Sequence, residues 1–209
     1  MKTKLFPLFA ALATTAFCAS PESTKLGAPD CCVAPLASTT PLARKSIYQL
    51  DAKFTTDAGR PFSLVELRGQ PVVLLMFFAS CGYACPLLVE DVQAIRKKLP
   101  ANVRARAAIV LVSFDSRRDT PEALAQYRAQ RSLDQQWTLL HADDEEVREL
   151  AALLGVKLKR EADGGFAHSN VITVLNTEGE IVHQRLGLKG GLDEAAQALA
   201  ATVQKSSSD

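Results

Sequence analysis

The sequence lacks a glycine-rich phosphate-binding loop and carries almost no net charge. Its 24 lysines and arginines stand against 23 aspartates and glutamates, which gives a formal charge of +1. Without that loop, nucleotide chemistry has no support, and without a basic excess we expect no nucleic-acid partner. The short basic clusters at 96–98 and 157–160 are interpreted as solvated faces. An apolar share of 47% is ordinary for a globular core.

The first twenty residues have the pattern of an export signal. Lys2 and Lys4 precede an apolar stretch over 5–17, which small residues follow. The stretch is too short to span a bilayer comfortably. We therefore predict a signal peptide over 1–20 and an exported protein, periplasmic or membrane-associated facing the periplasm. Lipid attachment at Cys18, as a membrane tether, is the alternative, and the bulky Phe17 disfavours it.

The remainder divides into a tether and one domain. Residues 21–45 contain Pro, Ser, Thr and Ala without periodicity, which is typical of a flexible tether. Over 46–205 the patterns predict, in order, a hairpin, a βαβ unit, a helix, a short strand over 137–141, a helix capped by Asp143 or Asp144, a second hairpin and a final helix. This order predicts an α/β class, thioredoxin-like fold with an added N-terminal β-hairpin.

The domain is organised around two cysteines between a buried strand and a helix. Residues 71–79 carry no charge, as expected of a central parallel strand. Cys81 and Cys85 follow, and Pro86 fits the first turn of the next helix. Pro86 also biases the preceding residue away from helical geometry, so we expect both thiols in the loop. The loop opens at the carboxyl end of the strand and at a helix N-terminus, where a thiolate is stabilised.

Three interpretations of Cys81 and Cys85 compete. A structural disulfide would close only a three-residue gap and would stabilise the fold little. A thiol–disulfide exchanger would normally have two residues between its cysteines and a proline near residue 168; this chain has three and no such proline. A metal site would use two soft thiolates, which favour Cu(I) with zinc as competitor, and would need one more ligand.

His168 is the candidate for the third ligand. In a thioredoxin-like fold the loop before the strand that starts near residue 170 lies against the loop with the thiols. An imidazole there would complete a Cys2His site with an open position, although a lone His is more often a surface residue. His141 and His183 have no cysteine near them in sequence and are interpreted as ordinary structural histidines.

The chain resembles the Sco/SenC family of copper-binding assembly factors for cytochrome c oxidase. The resemblance rests on Ser80–Pro86 with both cysteines, on Ser113–Asp115, on Arg118–Glu122, and on His168-Ser169 before the strand at 171–176. It implies a thioredoxin-like fold and a copper ion, Cu(I) and/or Cu(II), bound by Cys81, Cys85 and His168. The acidic residue usual between the cysteines of this family is absent here.

The resemblance also implies a function and partners. The protein would be a metallochaperone and not an enzyme, helping to load the dinuclear copper centre of cytochrome c oxidase subunit II or of another exported copper protein. A thiol reductant would keep Cys81 and Cys85 reduced. The alternative is a thiol–disulfide oxidoreductase or redox sensor acting through the same pair. A thiol peroxidase is a weaker third hypothesis, because no activating arginine is identifiable.

Most of the accessory residues can be interpreted in two ways. Asp115 is either a residue supporting or docking to the site, as the resemblance implies, or a turn-forming Asp. Asp119 is interpreted as a helix cap, spaced as a capping box with Glu122. Tyr83 either covers the site or meets a partner, or else packs on the core. The Cys31-Cys32 pair is either inert in the tether or an accessory that supplies copper ligands or a resolving thiol.

Overall fold

The computed structural model describes residues 41–162 and 165–205, which belong to a compact unit over 40–209. The signal peptide predicted over 1–20, with Cys18, lies outside the described residues, as does most of the tether predicted over 21–45, with Cys31 and Cys32. Within the described ranges, no helix has both the length and the apolar character needed to cross a membrane.

Nine strands lie in the described part of the chain. They are β1 (Phe54–Thr56), β2 (Pro61–Phe62), β3 (Val72–Phe77), β4 (Ala108–Ser113), β5 (Trp137–His141), β6 (Leu158–Arg160), β7 (Phe166–His168), β8 (Val171–Leu175) and β9 (Ile181–Leu186). Seven of them form a sheet in the order β2–β1–β5–β4–β3–β8–β9, and β6 pairs with β7 in a separate ribbon. The pairs β3–β4 and β4–β5 are parallel, and the other pairs are antiparallel.

Helices pack on both faces of the sheet. They are α1 (Ala84–Lys98), α2 (Ala101–Arg106), α3 (Pro121–Gln130), α4 (Asp144–Leu153) and α5 (Leu192–Lys205). Leu88 of α1 and Leu199 of α5 lie in one core cluster, and Leu150 of α4 lies in the other. All six residues of β3 are buried, because alternate side chains enter the two clusters. β3 is thus an interior, fully buried strand, as the uncharged run predicted, although it is parallel to β4 and antiparallel to β8.

The order of elements confirms the predicted α/β, thioredoxin-like arrangement. β3, α1 and β4 form the βαβ unit, and the antiparallel β8–β9 hairpin precedes α5. The added N-terminal hairpin is formed by β1 and β2, which turn through Gly59 with φ of 74°, and β1 pairs with β5.

Two predictions about helix starts are wrong. Helix α1 begins one residue before Cys85, so this cysteine lies in the first turn and not in the loop. The Cys85 N–H donates to Cys81 Sγ at 3.3 Å, and this acceptor for a free first-turn N–H favours the helical conformation despite the following proline. Helix α3 is capped by Thr120, whose hydroxyl accepts from the Ala123 N–H. Asp119 is therefore not a helix cap.

Two elements have no counterpart in the sequence prediction. One is the short helix α2, and the other is the β6–β7 ribbon. The basic cluster at 157–160 was interpreted as a solvated face, yet it contains β6, which pairs with the strand that carries His168. The ribbon was missed because its strands have three residues each and alternate charged and apolar side chains weakly.

Candidate metal centre

Cys81 and Cys85 lie where β3 passes into α1. The Cys81 N–H donates to the Phe78 carbonyl oxygen at 3.2 Å and closes a turn directly after the strand. Cys81 is half-buried, Cys85 is fully buried, and both are free thiols. Because β3 and β4 are parallel, this turn opens at the carboxyl edge of the sheet, where open α/β sheets place their sites.

The two thiols ionise differently. Partial burial acts to raise the pKa of Cys81, but hydrogen bonds from the backbone of Cys85, Tyr83 and Ala84 outweigh it, and this pKa is lowered. Burial raises the pKa of Cys85 far above its ordinary value, and a hydrogen bond with the Phe78 backbone does not offset the effect. Cys81 is therefore the thiol that ionises first, and Cys85 gives up its proton only when something binds its sulfur.

His168 reaches this edge from the ribbon, as the last residue of β7. Its Nδ1 lies 3.3 Å from the Ser169 carbonyl oxygen, which assigns the proton to Nδ1 and leaves the lone pair on Nε2. Burial lowers the pKa of His168, and the hydrogen bond with Ser169, which acts in the opposite direction, does not restore it. The imidazole is thus neutral near neutral pH, which is the form that binds metal ions.

The structure brings the three predicted ligands together. One sulfur from each of Cys81 and Cys85 and one ring nitrogen of His168 all lie within 4.8 Å of one another. Metal–ligand bonds of about 2.0–2.3 Å need donor atoms slightly closer than this, so small side-chain movements would close the site. Two soft sulfurs and an imidazole fit Cu(I), with zinc as the competitor.

Asp119 braces the turn that precedes Cys81. The side chain is 2% exposed, and its Oδ2 accepts hydrogen bonds from the Ser113 hydroxyl at 2.5 Å and from the Ala79 N–H at 2.8 Å. Burial raises the pKa of Asp119, although these two hydrogen bonds act to lower it. The carboxyl group therefore connects the end of β4 to the loop after β3, a role that the capping interpretation missed.

Asp115 does not belong to the Cys–Cys–His cluster. Its backbone forms a turn, and its side chain has a contact that could support the site. Its carbonyl oxygen accepts from the backbone N–H groups of Arg118 and Asp119 and so forms the turn after β4. The fully buried carboxylate contacts the Arg118 guanidinium through Oδ2, and its Oδ1 lies 3.8 Å from Nη1 of Arg160. The second contact joins the turn to the ribbon that carries His168.

Three phenylalanines that were not predicted as site residues pack around His168. The His168 ring lies 4.9 Å from that of Phe114 and 6.0 Å from that of Phe78, and Phe166 packs on both phenylalanines at 5.0 and 5.4 Å. Phe78 and Phe114 follow directly after two neighbouring parallel strands, and Phe166 lies two residues before His168 on the same face of β7. In the sequence, these positions at the ends of two buried strands and beside His168 were the signal that could have identified the three phenylalanines.

The other candidates lie apart from the cluster or outside the described residues. Tyr83 is 74% exposed, so the interpretation that it packs on the core is wrong. His141 Nδ1 bonds to the Asp119 carbonyl oxygen, and His183 lies on β9; neither belongs to the cluster. Cys31 and Cys32 fall outside the described ranges, so their roles stay predictions.

The fold and the cluster define a class: a thioredoxin-like protein with two thiols and an imidazole at the carboxyl edge of its sheet. The model of the SCO1/SenC family matches residues 43–204. The chain therefore belongs to the SCO1/SenC family.

Relatives and solved structures agree with this assignment. A Stutzerimonas stutzeri protein, whose name provisionally attributes copper binding to it, is 27% identical over 150 residues, or 69% of this chain and 72% of that protein. Arabidopsis thaliana ScoI with copper bound has a TM-score of 0.65 at 21% identity, covering 74% of this chain and 96% of that one. A SCO1/SenC family lipoprotein from Bacillus anthracis has a TM-score of 0.66 at 19% identity, covering 72% and 92%. The two structures show the shared fold.

Proposed function

We propose that this protein is a copper chaperone that holds one copper ion through Cys81, Cys85 and His168 and passes it to the dinuclear copper centre of cytochrome c oxidase. The observation that carries the proposal is the approach of three donor atoms to within 4.8 Å of one another. The copper-binding name of the S. stutzeri relative and the copper-bound plant structure support copper as the cargo.

The unequal burial of the ligands suits transfer. Cys85 is fully buried, whereas Cys81 is half-buried beside the exposed Tyr83. A thiolate or imidazole from a partner therefore reaches the ion from the Cys81 side and replaces this sulfur first. The exchange moves ligands only, so the oxidation state of the ion is unchanged in this step. Tyr83, as an exposed aromatic ring next to the site, is a suitable contact for the partner.

The cellular setting is part of the same proposal. The predicted signal peptide and the family lipoprotein from B. anthracis support an exported protein, periplasmic or held at a membrane. The recipient is cytochrome c oxidase subunit II or another exported copper protein. Since an oxidising compartment converts free thiol pairs into disulfides, a thiol reductant must keep Cys81 and Cys85 able to bind copper.

The test is an anaerobic Cu(I) titration of the reduced protein in competition with a chromophoric chelator. The Cys31→Ser/Cys32→Ser background keeps the two outlying thiols out of the measurement. One equivalent should bind, and His168→Ala should weaken the affinity by at least about a hundredfold. His183→Ala is the matched control and should bind as tightly as the parent. Equal affinities of the parent and His168→Ala would refute the proposed ligand set.

A thiol–disulfide oxidoreductase is the second candidate, and the asymmetry of the two thiols favours it. The Cys81 thiolate would attack a substrate disulfide and release one substrate thiolate; Cys85 would then attack the mixed disulfide and release the other. Two electrons pass to the substrate, and the protein is left with a Cys81–Cys85 disulfide. Turnover of disulfide substrates that is indifferent to His168→Ala would favour this function over the first.

A further inference from the structure

Of the three candidate ligands, His168 lies on the element with the fewest backbone contacts to the rest of the fold. Among the residues that the structure describes, its strand β7 pairs only with β6, through three residue pairs, and neither strand joins the seven-stranded sheet. A two-stranded ribbon of this size is marginal by itself. The His168 ring is hydrogen-bonded only to its own neighbour, the Ser169 carbonyl, within the described part of the chain. Other contacts must therefore hold the ribbon against the thiol loop.

Arg160 makes two contacts that do this. It lies directly opposite Phe166 in the ribbon, and its guanidinium carbon is 4.5 Å from the centre of the Phe166 ring. Phe166 in turn packs on Phe114 and Phe78, which directly follow β4 and β3 of the seven-stranded sheet. A cation over an aromatic face at this distance is attracted by the ring, more strongly where water is partly excluded.

The second contact is electrostatic. The Asp115 carboxylate is fully buried, and its Oδ1 has no hydrogen-bond partner in the described residues. Nη1 of Arg160 faces this oxygen at 3.8 Å, which is an ion-pair distance but too long for a hydrogen bond. Arg118 contacts the other oxygen of this carboxylate, so Arg160 supplies the second counter-charge, on the side of Oδ1. Because a buried polar atom without a partner is costly, the fold is stabilised when Arg160, and with it the ribbon, stays in place.

We infer that Arg160 is a positioning residue for His168: by bridging Asp115 and Phe166, it holds the ribbon so that the imidazole stays within reach of Cys81 and Cys85. The inference rests on the proposed function for its consequence in copper binding, but it also predicts a property of the metal-free protein. The contacts of Arg160 are with Asp115 and Phe166, so it acts on the imidazole through the position of the ribbon.

The copper test is a double-mutant cycle in the full chain with the Cys31→Ser/Cys32→Ser background. Arg160→Ala should lower Cu(I) affinity about tenfold to a hundredfold, and Arg160→Lys should recover part of this, because an ammonium keeps the charge but not the planar stacking. In a His168→Ala background, Arg160→Ala should have no further effect. Lys159→Ala, on the same strand and exposed, is the control and should bind copper normally.

The metal-free test is amide hydrogen exchange of β6 and β7. Arg160→Ala should speed exchange in the ribbon at least about tenfold and leave β3 and β4 unchanged, whereas Lys159→Ala should not. Arg160→Met keeps the apolar stem and serves if Arg160→Ala does not fold. Unchanged ribbon exchange in the arginine variants would overturn the inference even if His168 proves to be a copper ligand. An equal loss of affinity in the His168→Ala background would overturn it as well. A ribbon that loosens in a protein that binds no copper would overturn the proposed function alone.

Discussion

The buried ion pair between Asp91 and Arg185 gives the sharpest test of what holds the scaffold of the site. Asp91 lies on α1, the helix whose first turn carries Cys85, and Arg185 lies on β9; they are 7% and 5% exposed. The guanidinium contacts Asp91 Oδ2 directly, and the Lys189 N–H donates to the same oxygen at 3.2 Å. One carboxylate thus joins the helix to the edge strand and to the loop beyond it.

Asp91→Ala should lower the free energy of unfolding by about 3–5 kcal/mol, because it leaves a buried guanidinium without its counter-charge. Most of this cost comes from the stranded charge. Replacing both partners, as in Asp91→Leu/Arg185→Met, should therefore recover much of the stability. The matched control is Lys98→Ala, which removes a pair with Asp193 whose side chains are 42% and 71% exposed and which should cost less than about 1 kcal/mol.

The measurement is urea unfolding of the metal-free, reduced protein, with equal m-values required for comparison of the variants. The reasoning about buried charge would be refuted if Asp91→Ala cost no more than Lys98→Ala. It would also be refuted if the double replacement were at least as unstable as Asp91→Ala, because the stranded guanidinium would then not be the cause.

Three further predictions follow from single contacts. Cu(I) affinity should rise at least about tenfold per pH unit between about pH 7 and pH 9, because burial raises the pKa of Cys85 and its proton must leave on binding; a flat competition titration would contradict this. Gly179→Ala should cost more than about 1 kcal/mol in urea unfolding, because at φ of 80° its Cβ would lie 2.5 Å from the Tyr48 ring, whereas Gly59→Ala, with φ of 74° and open space, should cost less. Asp119→Ala should lower stability by about 2–4 kcal/mol, since two donors lose a buried acceptor; a loss below about 0.5 kcal/mol would rule out the bracing role.

The parts of the site that were predictable are those encoded locally. An uncharged run, two closely spaced cysteines and a proline indicate a buried strand, a loop and a helix start without knowledge of distant residues. Even there, Cys85 was wrongly placed in the loop, because the backbone preference imposed by Pro86 competes with the hydrogen bond to Cys81 Sγ. The preference is visible in the sequence, whereas the hydrogen bond exists only after the loop has closed.

The surroundings of His168 were not predictable in the same way. The imidazole was placed near the thiols by analogy with the fold, but its supports come from separate segments: Phe78 and Phe114 follow β3 and β4, and Arg160 lies in a basic cluster that resembles a solvated face. Asp119 was misassigned for a similar reason. Its spacing to Glu122 matches a capping box, and only the three-dimensional structure shows that the carboxylate points to Ser113 and Ala79.

The three ligands are held by the fold to different degrees, and this difference fits the proposed role as a carrier of copper. Cys85 is fixed in a helix turn inside the core, Cys81 lies half-buried in a loop that backbone hydrogen bonds hold, and His168 stands on a ribbon outside the main sheet. Because β6 and β7 lie outside the seven-stranded sheet, the position of the imidazole is set separately from the positions of the two sulfurs.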